Sequence, residues 1–500
     1  MDTVIQKTQY ETVIGLEAHV QLGTLSKAFC SDSAKFGGEP NTQTSVISLA
    51  HPGTLPRMNK KQIEYAVRLG LALGCRINER NAFDRKNYFY ADLPKGYQIT
   101  QDKHPICIGG SIPIKITDLS RTNREGVKSI RLHHIHMEED AGKSIHDQNP
   151  TATLIDLNRS GTPLLEIVTE PDLRSGEEVD AFMSAMRHLV RWLDVSDGNM
   201  EEGSLRCDVN ISIRPVGQQE FGTRCEVKNV NSMRFARKAI EFETKRQIEL
   251  VESGGKVEQN TLNFDPATGV TTPLRSKENA HDYRYFPDPD LPPIILTPQF
   301  LERIKSNMPQ LPNEARAELM STYGLPEYDA LLLTEERVIY TYFKEFAKQI
   351  VTPQYKSLSN LIINKILPTA NELKVELEEF PLSITELITF LQLIETGKVS
   401  NSAAYQTLFP ELLKQKSIDL STPLSVNSVA EQLNLFQNSD TDFLAKIIAE
   451  VIAENAPKVA EYRKGKKGLL GFFVGEVMKR SKGKADPKAT NALVVKSLEG

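Results

Sequence analysis

Histidines and carboxylates are concentrated in one segment, Leu132–Ser144, which reads LHHIHMEEDAGKS. Three histidines and three carboxylates lie there within eight residues. Adjacent carboxylates repel one another, so such a segment is stable only where solvent or a bound cation offsets the charge. A solvated turn and a cation site are both compatible with it. The segment ends in Gly142-Lys143-Ser144 like a P-loop, but Met137 stands where that loop requires a glycine.

Two further sets of possible ligands accompany strand-like segments. Residues 200–208 (MEEGSLRCD) lead directly into a strand pattern, and Glu17 and His19 lie within another. Carboxylate oxygens on strands suit Mg²⁺, with Mn²⁺ as the alternative where a histidine takes part, and the lack of paired cysteines argues against zinc. Taken alone, Glu17 and His19 are more typical of hydrogen-bonded surface residues than of metal ligands, and both interpretations stay open.

Cations alternate with aromatic residues in two segments, 83–99 (FDRKNYFYADLPKGYQI) and 281–290 (HDYRYFPDPD). Such segments can bind an adenine or nucleotide phosphates, and a packed loop with solvent-reaching lysines is the alternative. The chain has no nucleophile elbow around a serine, which disfavours an acyl-enzyme hydrolase. Carboxylates and cations together favour metal-assisted phosphoryl transfer.

Strand periodicity predicts how these side chains are positioned. Apolar residues occupy every second position of 14–22, so Glu17 and His19 share the opposite face of one strand. The same alternation over 205–213, followed by a turn and a second strand, predicts a hairpin with one apolar face. Its polar face carries Arg206, Asp208, Asn210, Glu226 and Lys228.

Helical patterns separate and follow these strands. Ser175 and Glu178 have the spacing of a capping box before a helix that reaches Leu193, and a second helix runs from about Ser232 to Ser253. The fold class is therefore α+β, with a mainly antiparallel sheet, or cradle, and its helices in the N-terminal half. After a proline-rich junction the pattern is mainly helical. The predicted domains are a catalytic cradle (1–297), an all-α helical domain (298–434) and a small α-helical basic tail (435–500), with a helix start at Asn438–Asp440.

Charge and composition narrow the class of protein. The net charge of −5 argues against nucleic-acid binding, yet residues 457–488 hold ten basic and three acidic residues. A run of charged residues usually marks a solvent-exposed face. Here, however, an excess of basic residues within an acidic chain predicts contact with phosphates. Five scattered cysteines, no apolar run of membrane-spanning length and no signal-peptide pattern predict a reduced, cytoplasmic protein without a membrane segment.

Six long motifs carry a family resemblance: VIGLEAHV from Val13, FDRKNYFY from Phe83, HMEEDAGK from His136, DLNRSGTPL from Asp156, MEEGSLRCD from Met200 and DYRYFP from Asp282. They resemble those of the B subunits of tRNA-dependent aspartyl/glutamyl amidotransferases. The resemblance implies that ATP phosphorylates the side-chain carboxylate of misacylated Glu-tRNA(Gln) or Asp-tRNA(Asn). Ammonia from a partner glutaminase, the A subunit, then displaces the phosphate and gives Gln-tRNA or Asn-tRNA, and a small C subunit completes the heterotrimer.

The resemblance also implies residue roles. The implied metal ligands are Glu17, His19, Glu138, Glu139, Asp208 and Glu226. Catalysis, including ammonium deprotonation and the channel mouth, falls to Glu138, Glu139, Lys86, Tyr88 and Lys95. Contacts to ATP or phosphate fall to Lys86, Arg206 and Lys228. The implied tRNA-binding residues are Arg463, Lys464, Lys466, Lys467, Lys479, Arg480 and Lys482.

The cysteines of this chain depart from the family pattern. Many relatives carry two cysteine pairs near the N-terminus, whereas this chain has only Cys30 there, so we predict no structural zinc. The expected cofactors are ATP and Mg²⁺, or Mn²⁺. A non-catalytic tRNA-binding scaffold for a partner amidase is the first alternative, and a metal-dependent nuclease or hydrolase is the second.

Overall fold

A computed structural model of the chain describes residues 8–118, 124–146, 148–230, 232–275, 283–350, 354–418, 423–437, 441–481, 485 and 487–499. The predicted helix start at Asn438–Asp440, together with His281, Asp282 and Lys482, lies outside these residues. The chain divides into two compact units, Met1–Pro312 and Asn313–Gly500. None of the helices that the structure describes has both the length and the apolar character that a membrane span needs.

The described part of the first unit contains a large sheet and three small ones. The large sheet has the strand order β15-β14-β13-β12-β1-β11-β8-β6-β2, with β7 paired to β8. All its pairs are antiparallel except β13 with β14. Its strands are β1 (Tyr10–Gln21), β2 (Arg76–Ile77), β6 (Cys107–Ile108), β7 (Ser111–Asp118), β8 (Arg124–Glu139), β11 (Pro163–Thr169), β12 (Leu205–Pro215), β13 (Cys225–Val230), β14 (Thr261–Asp265) and β15 (Val270–Arg275).

The small sheets lie outside this order. One is three-stranded, in the order β16-β4-β5, and two are pairs, β10 with β9 and β17 with β3. Their strands are β3 (Arg80–Asn81), β4 (Asp84–Asn87), β5 (Tyr97–Thr100), β9 (Lys143–Ile145), β10 (Leu154–Asp156), β16 (Phe286–Pro287) and β17 (Ile294–Ile295). The three-stranded sheet joins the two segments in which cations alternate with aromatic residues, because β4 and most of β5 belong to the first segment and β16 belongs to the second.

Alternation of apolar residues explains the central strands. Val13, Ile14, Leu16, Ala18 and Val20 of β1 are buried. The intervening side chains of β1 are part-buried, as the period of two predicts. Strand β12 alternates in the same way and pairs with β13. The predicted strand and the predicted hairpin are therefore confirmed.

Among its described residues the first unit also has four helices, and three of them pack directly on strands: α1 on β8, α2 on β7 and α3 on β12. The helices are α1 (Lys60–Ala72), α2 (Gly176–Trp192), α3 (Met233–Glu252) and α4 (Pro298–Ser306). Ser175 caps α2 by accepting from the Glu178 N–H, as predicted. The reciprocal half of the capping box is different, because the Glu178 carboxylate accepts from the Arg174 N–H at 2.7 Å.

Helix α4 bears on the domain boundary. It follows residue 297, yet it belongs to the first unit, where it packs on α1 and places Arg303 2.9 Å from Glu64. The three-domain division drawn from the sequence remains a prediction. The proline-rich junction that was predicted to end the first domain is followed by α4, which still belongs to the first unit.

The second unit is mainly helical in its described residues. Its helices are α5 (Pro312–Ser321), α6 (Glu327–Leu333), α7 (Arg337–Gln349), α8 (Tyr355–Leu361), α9 (Leu367–Leu373), α10 (Ile384–Glu395), α11 (Asn401–Ala403), α12 (Phe409–Ile418), α13 (Val426–Gln432), α14 (Thr441–Glu454), α15 (Ala456–Arg463), α16 (Leu470–Arg480) and α17 (Pro487–Glu499). Two π-helical turns (Ile362–Ile366 and Ala404–Leu408) and two 3₁₀ turns (Leu377–Glu379 and Lys467–Leu469) link some of them. The last four helices, α14 to α17, form what is called the C-terminal segment below. They bury an apolar cluster that includes Leu444, Tyr462, Phe473 and Leu498, so this segment has a core of its own.

Candidate active site

Strand register brings polar side chains from five adjacent strands to one face of the large sheet. Glu17 on β1 pairs with Asp208 on β12, and His19 on β1 pairs with Glu166 on β11. Glu166 in turn pairs with His136 on β8. Directly opposed residues of antiparallel strands lie on the same face. The order β13-β12-β1-β11-β8 therefore collects carboxylates and imidazoles that are far apart in sequence.

The first group on this face consists of His19, Glu138 and Glu166. One ligand atom from each lies within 4.8 Å of the others. The His19 Nε2 is 3.4 Å from the Glu166 carboxylate, while the buried His19 Nδ1 has no hydrogen-bond partner among the described residues. An imidazole nitrogen without a partner beside two buried or half-buried carboxylates is a donor set that fits a divalent cation.

The second group consists of Glu17, Asp208 and Glu226, again with ligand atoms within 4.8 Å of one another. Burial raises the pKa of Glu17, and the nearby Glu166 and Glu226 carboxylates raise it further. One ammonium offsets part of this repulsion, because the Lys228 Nζ lies 3.2 Å from Asp208 and 2.9 Å from Glu226. Three convergent carboxylates also suit Mg²⁺ or Mn²⁺.

His136 links the two carboxylates of the first group. Its Nε2 is 3.4 Å from Glu166 and 3.6 Å from Glu138. Burial lowers the pKa of His136, but these two carboxylates outweigh it and raise that pKa to about 10. Burial raises the pKa of Glu166, yet His136 and His19 hold it well below its ordinary value. Glu166 is therefore the ionised centre of this group.

Glu139 lies outside both groups. The Lys95 Nζ is 2.5 Å from its carboxylate, and the Ile99 N–H donates to it at 2.9 Å. The pair borders a cavity of about 180 Å³ that is also lined by Lys27, Phe29, Cys30 and Gly161, among others. Since successive strand residues point to opposite faces, the neighbours Glu138 and Glu139 cannot both face the polar groups. The structure thus does not bring Glu139 to the other predicted metal ligands.

Lys86 is a cation beside the first group. Its Nζ lies 4.9 Å from the ring centre of Tyr283 and 5.9 Å from that of Tyr88. Burial lowers the pKa of Lys86, but Glu138, Glu166 and neighbouring tyrosines outweigh it and raise that pKa. No carboxylate in the described part of the chain lies at ion-pair distance. Lys86 is thus charged and available to an anion. Burial also raises the pKa of Tyr88, which keeps its hydroxyl protonated.

The other two predicted phosphate contacts are already paired. Arg206 makes two hydrogen bonds of 2.9 Å to the Asp140 carboxylate, the bidentate geometry typical of arginine. Burial raises the pKa of Asp140, but Arg206 and Arg159 lower it to about 2. Lys228 is held between Asp208 and Glu226. Either cation must share these carboxylates to contact a phosphate.

The basic residues of the C-terminal segment divide in the same way. Arg463 donates to the Leu498 carbonyl at 2.9 Å, and Arg480 is paired with Glu454. Lys466 and Lys467 lie 3.0 Å and 3.1 Å from Glu461 and Glu499 respectively. Lys464 and Lys479 are exposed and have no acidic partner among the described residues. These two lysines are the ones most directly available to a phosphate backbone.

Three residues of the site were absent from the predicted set: Glu166, His136 as a carboxylate partner, and Asp140. Glu166 had one weak signal, since it is the single charged residue in the mainly apolar strand Pro163–Thr169. Such a residue on a central strand requires a partner, but the sequence did not indicate which one.

Two family models match this chain. One describes the GatB/GatE catalytic domain and matches residues 12–302, and the other describes the GatB domain and matches residues 341–498. The first match includes every residue of both carboxylate groups. The second includes the basic residues of the C-terminal segment.

Curated relatives agree with these matches over nearly the full length. The chain is 47% identical to the B subunit of the aspartyl/glutamyl-tRNA(Asn/Gln) amidotransferase from Geotalea uraniireducens, covering 98% of this chain and 100% of that protein. The B subunits of the same enzyme from Thermodesulfovibrio yellowstonii and Herminiimonas arsenicoxydans are 45% and 46% identical, each over 98% of this chain. The chain belongs to the GatB family of amidotransferase B subunits.

Proposed function

We propose that this chain is the B subunit of a cytoplasmic, ATP-dependent aspartyl/glutamyl-tRNA amidotransferase. It would act with a glutaminase, the A subunit, and with a small C subunit. Its substrates would be misacylated Glu-tRNA(Gln), Asp-tRNA(Asn) or both. The family match supports this reaction class. The observation that carries the site assignment is the convergence of two carboxylate groups on one face of the sheet, beside Lys86.

The proposed reaction has two steps, phosphorylation of the carboxylate and displacement of the phosphate by ammonia. An oxygen of the substrate's side-chain carboxylate attacks the γ-phosphorus of ATP, and ADP leaves. Ammonia then attacks the carbonyl carbon of the acyl phosphate, the nitrogen loses one proton to the departing phosphate, and the phosphate leaves with one oxygen of the original carboxylate. A free carboxylate resists ammonia, whereas phosphate is a good leaving group. We assign to Lys86 the binding of negative charge on the transferred phosphoryl group.

Divalent cations would be held by the two groups defined above. His19, Glu138 and Glu166 form one site, and Glu17, Asp208 and Glu226 form the other. When bound, Mg²⁺ would neutralise charge that develops on the phosphates. His136 keeps Glu166 ionised, and Gln98 positions Glu138 through a 3.0 Å hydrogen bond. Glu139 has a different task in this proposal.

We assign Glu139 and Lys95 to the ammonia side of the reaction. Glu139 directly follows Glu138 on β8, and the ion pair of Glu139 with Lys95 borders the cavity of about 180 Å³. A carboxylate can accept a proton from ammonium, and the neighbouring cavity offers room for a molecule of that size. We assign Tyr88, which is protonated and near Lys86, to the mouth of the channel that would deliver ammonia.

Reconstitution tests this function. The chain is combined with its glutaminase and small partner subunits, ATP, Mg²⁺ and glutamine, and either glutamyl-tRNA(Gln) or aspartyl-tRNA(Asn) is supplied. The proposal predicts that the aminoacyl group becomes the amide only when ATP is present. A tRNA-binding scaffold would bind the tRNA without ATP cleavage, and a nuclease would shorten it. Either of these outcomes would contradict the proposal.

Metal binding gives a test that does not depend on turnover. Mn²⁺ titration followed by electron paramagnetic resonance should show binding to the wild-type complex. Glu17→Gln and Glu166→Gln should each weaken this binding by about tenfold or more, since even partners of metal ligands contribute about 10- to 100-fold. Glu252→Gln, at the exposed end of α3, is the matched control. Equal Mn²⁺ affinity in all four proteins would argue against both sites.

Structural zinc is expected to be absent. Cys30 is 3.4 Å from the Ser48 hydroxyl, which in turn contacts Asp32, and no second thiol accompanies it among the described residues. Burial raises the pKa of the Cys30 thiol, which disfavours the thiolate that zinc binds. Metal analysis of the purified protein should therefore find no stoichiometric zinc. One zinc per chain would show this prediction to be wrong.

The unpaired lysines of the C-terminal segment should dominate tRNA binding. Replacing Lys464 and Lys479 with alanine should weaken binding and lower the slope of log affinity against log salt by about two, because each phosphate contact contributes about one. The control replaces Lys466 and Lys467, which are paired with carboxylates, and should lower the slope less. If both double variants had the wild-type slope, this segment would not contact the phosphate backbone.

A further inference from the structure

Exposed aromatic rings extend from the candidate active site. Phe89 is 90% exposed, and Tyr90, Tyr285 and Phe286 are between 40% and 46% exposed. Single exposed rings are common on proteins, but these come from two segments that are far apart in sequence. Together with the adjacent Tyr88 and Tyr283 they are called the aromatic platform below.

The backbone fixes the two segments of the aromatic platform against each other. The Asn87 N–H donates to the Tyr283 carbonyl at 2.9 Å, and the Asn87 side chain donates to the Arg284 carbonyl at 2.8 Å. Phe286 pairs with Arg85 in the three-stranded sheet. The Tyr283 ring lies 6.0 Å from both Tyr88 and Tyr285, in edge-on contacts. The Tyr88, Tyr283 and Tyr285 rings are therefore positioned before any ligand arrives, which lowers the entropic cost of binding.

The aromatic platform is continuous with the charged site. Lys86, the cation without a carboxylate partner among the described residues, lies 4.9 Å from the Tyr283 ring centre. Glu138 and Glu166 are close enough to raise the pKa of Lys86. A ligand lying on the rings would thus run directly toward the group that we assign to phosphoryl transfer.

An acidic polymer with exposed bases matches these features. Unpaired nucleotides present flat bases to aromatic side chains and phosphates to cations. A tRNA carries its amino acid on unpaired nucleotides at the 3′ end, and this end must enter the site for the side-chain carboxylate to react. We propose that the aromatic platform stacks the terminal unpaired bases of the aminoacyl-tRNA, an inference that rests on the function proposed above.

Substitution of the most exposed rings tests the aromatic platform. In the assembled enzyme, Phe89→Ala and Phe286→Ala should each raise the KM for glutamyl-tRNA by about 5- to 150-fold, the range for loss of one stacked base. The KM for ATP should not change. Phe89→Trp, which keeps a stacking surface, should restore the KM. Phe221→Ala removes another exposed ring, beside Arg214, and should have no effect. Phe89 is too exposed for its truncation to open a cavity in the core.

A binding measurement separates this inference from the proposed function. A tRNA with 2-aminopurine at its 3′-terminal position should be quenched on binding to the wild-type complex and less quenched on Phe89→Ala. Unchanged quenching together with an unchanged tRNA KM would overturn the aromatic platform. A rise in the KM for ATP alone would assign the rings to the adenine of ATP and overturn it equally. Absence of any amide from the wild-type complex would refute the proposed function, while the quenching result would still report on the rings.

Discussion

Glu166→Gln is expected to lower ATP-dependent amide formation by about 10²- to 10³-fold, the loss measured when one preorganised electrostatic group at a reacting centre, such as a hydrogen-bond donor, is removed. Glu166 lies 3.4 Å from both His19 and His136 and is the ionised carboxylate of its group. Glutamine keeps the shape of the side chain but removes the charge that balances two imidazoles. Steady-state amide formation with saturating aminoacyl-tRNA measures the effect.

Two controls keep this result interpretable. Glu252→Gln changes an exposed glutamate at the end of α3 and should leave the rate unchanged. Aminoacyl-tRNA affinity of Glu166→Gln should equal that of the wild type, because Glu166 belongs neither to the basic residues assigned to tRNA binding, which lie in the second unit, nor to the aromatic platform. A near-normal rate, or an equal loss of binding and turnover, would remove Glu166 from the reaction.

Lys95→Met is expected to lower the free energy of unfolding of the first unit by about 3 to 5 kcal/mol, the cost of leaving a buried charge without its partner. Glu139 is almost fully buried, and Lys95 is its ion-pair partner at 2.5 Å. The Ile99 N–H still donates to the carboxylate but carries no full charge. Urea unfolding followed by the fluorescence of Trp192, the single and buried tryptophan, reports on this unit.

The double variant supplies the control for this pair. Adding Glu139→Gln to Lys95→Met removes the orphaned charge and should recover most of the lost stability. Lys61→Met, in which an exposed lysine loses a 3.5 Å contact to Glu64, should cost less than about 1 kcal/mol. If Lys95→Met were as stable as Lys61→Met, the buried pair would not stabilise the fold. Any loss of activity in Lys95→Met could then be assigned to catalysis alone.

Periodicity was sufficient for the strands that alternate cleanly. Glu17 and His19 could be placed on one face of β1, and Asp208 on the polar face of the β12–β13 hairpin, because apolar residues take every second position around them. The ends of α3 also followed from local signals, a serine cap at Ser232 and glycine after Ser253. In each of these elements a short-range rule determines the direction of the side chain.

Strand β8 shows why the rest could not be predicted. Its buried residues Leu132, Ile135 and Met137 do not keep a period of two. The pairing with β11 shifts register there, so that His133 is an extra residue between paired neighbours. Because this bulge is not visible in the sequence, strand alternation alone does not determine whether Glu138 or Glu139 faces the polar groups. The choice depends on a partner strand elsewhere in the chain.

Long-range pairing also decided the remaining residues. Glu166 enters the site only because β11 lies between β1 and β8. Lys466 and Lys467 counted as free cations in the sequence, but Glu461 and Glu499 are their partners in the fold. Charge runs report composition, whereas the availability of each cation depends on tertiary contacts.

Transfer of oxygen from the substrate tests the central claim most directly. Glutamyl-tRNA(Gln) with an ¹⁸O-labelled side-chain carboxylate is incubated with the assembled enzyme, ATP, Mg²⁺ and glutamine, and the released phosphate is analysed by mass spectrometry. Activation of the carboxylate by phosphoryl transfer predicts one ¹⁸O atom in the phosphate for each amide formed. Phosphate without ¹⁸O, accompanied by normal amide formation, would contradict the acyl-phosphate step on which the account of this site depends.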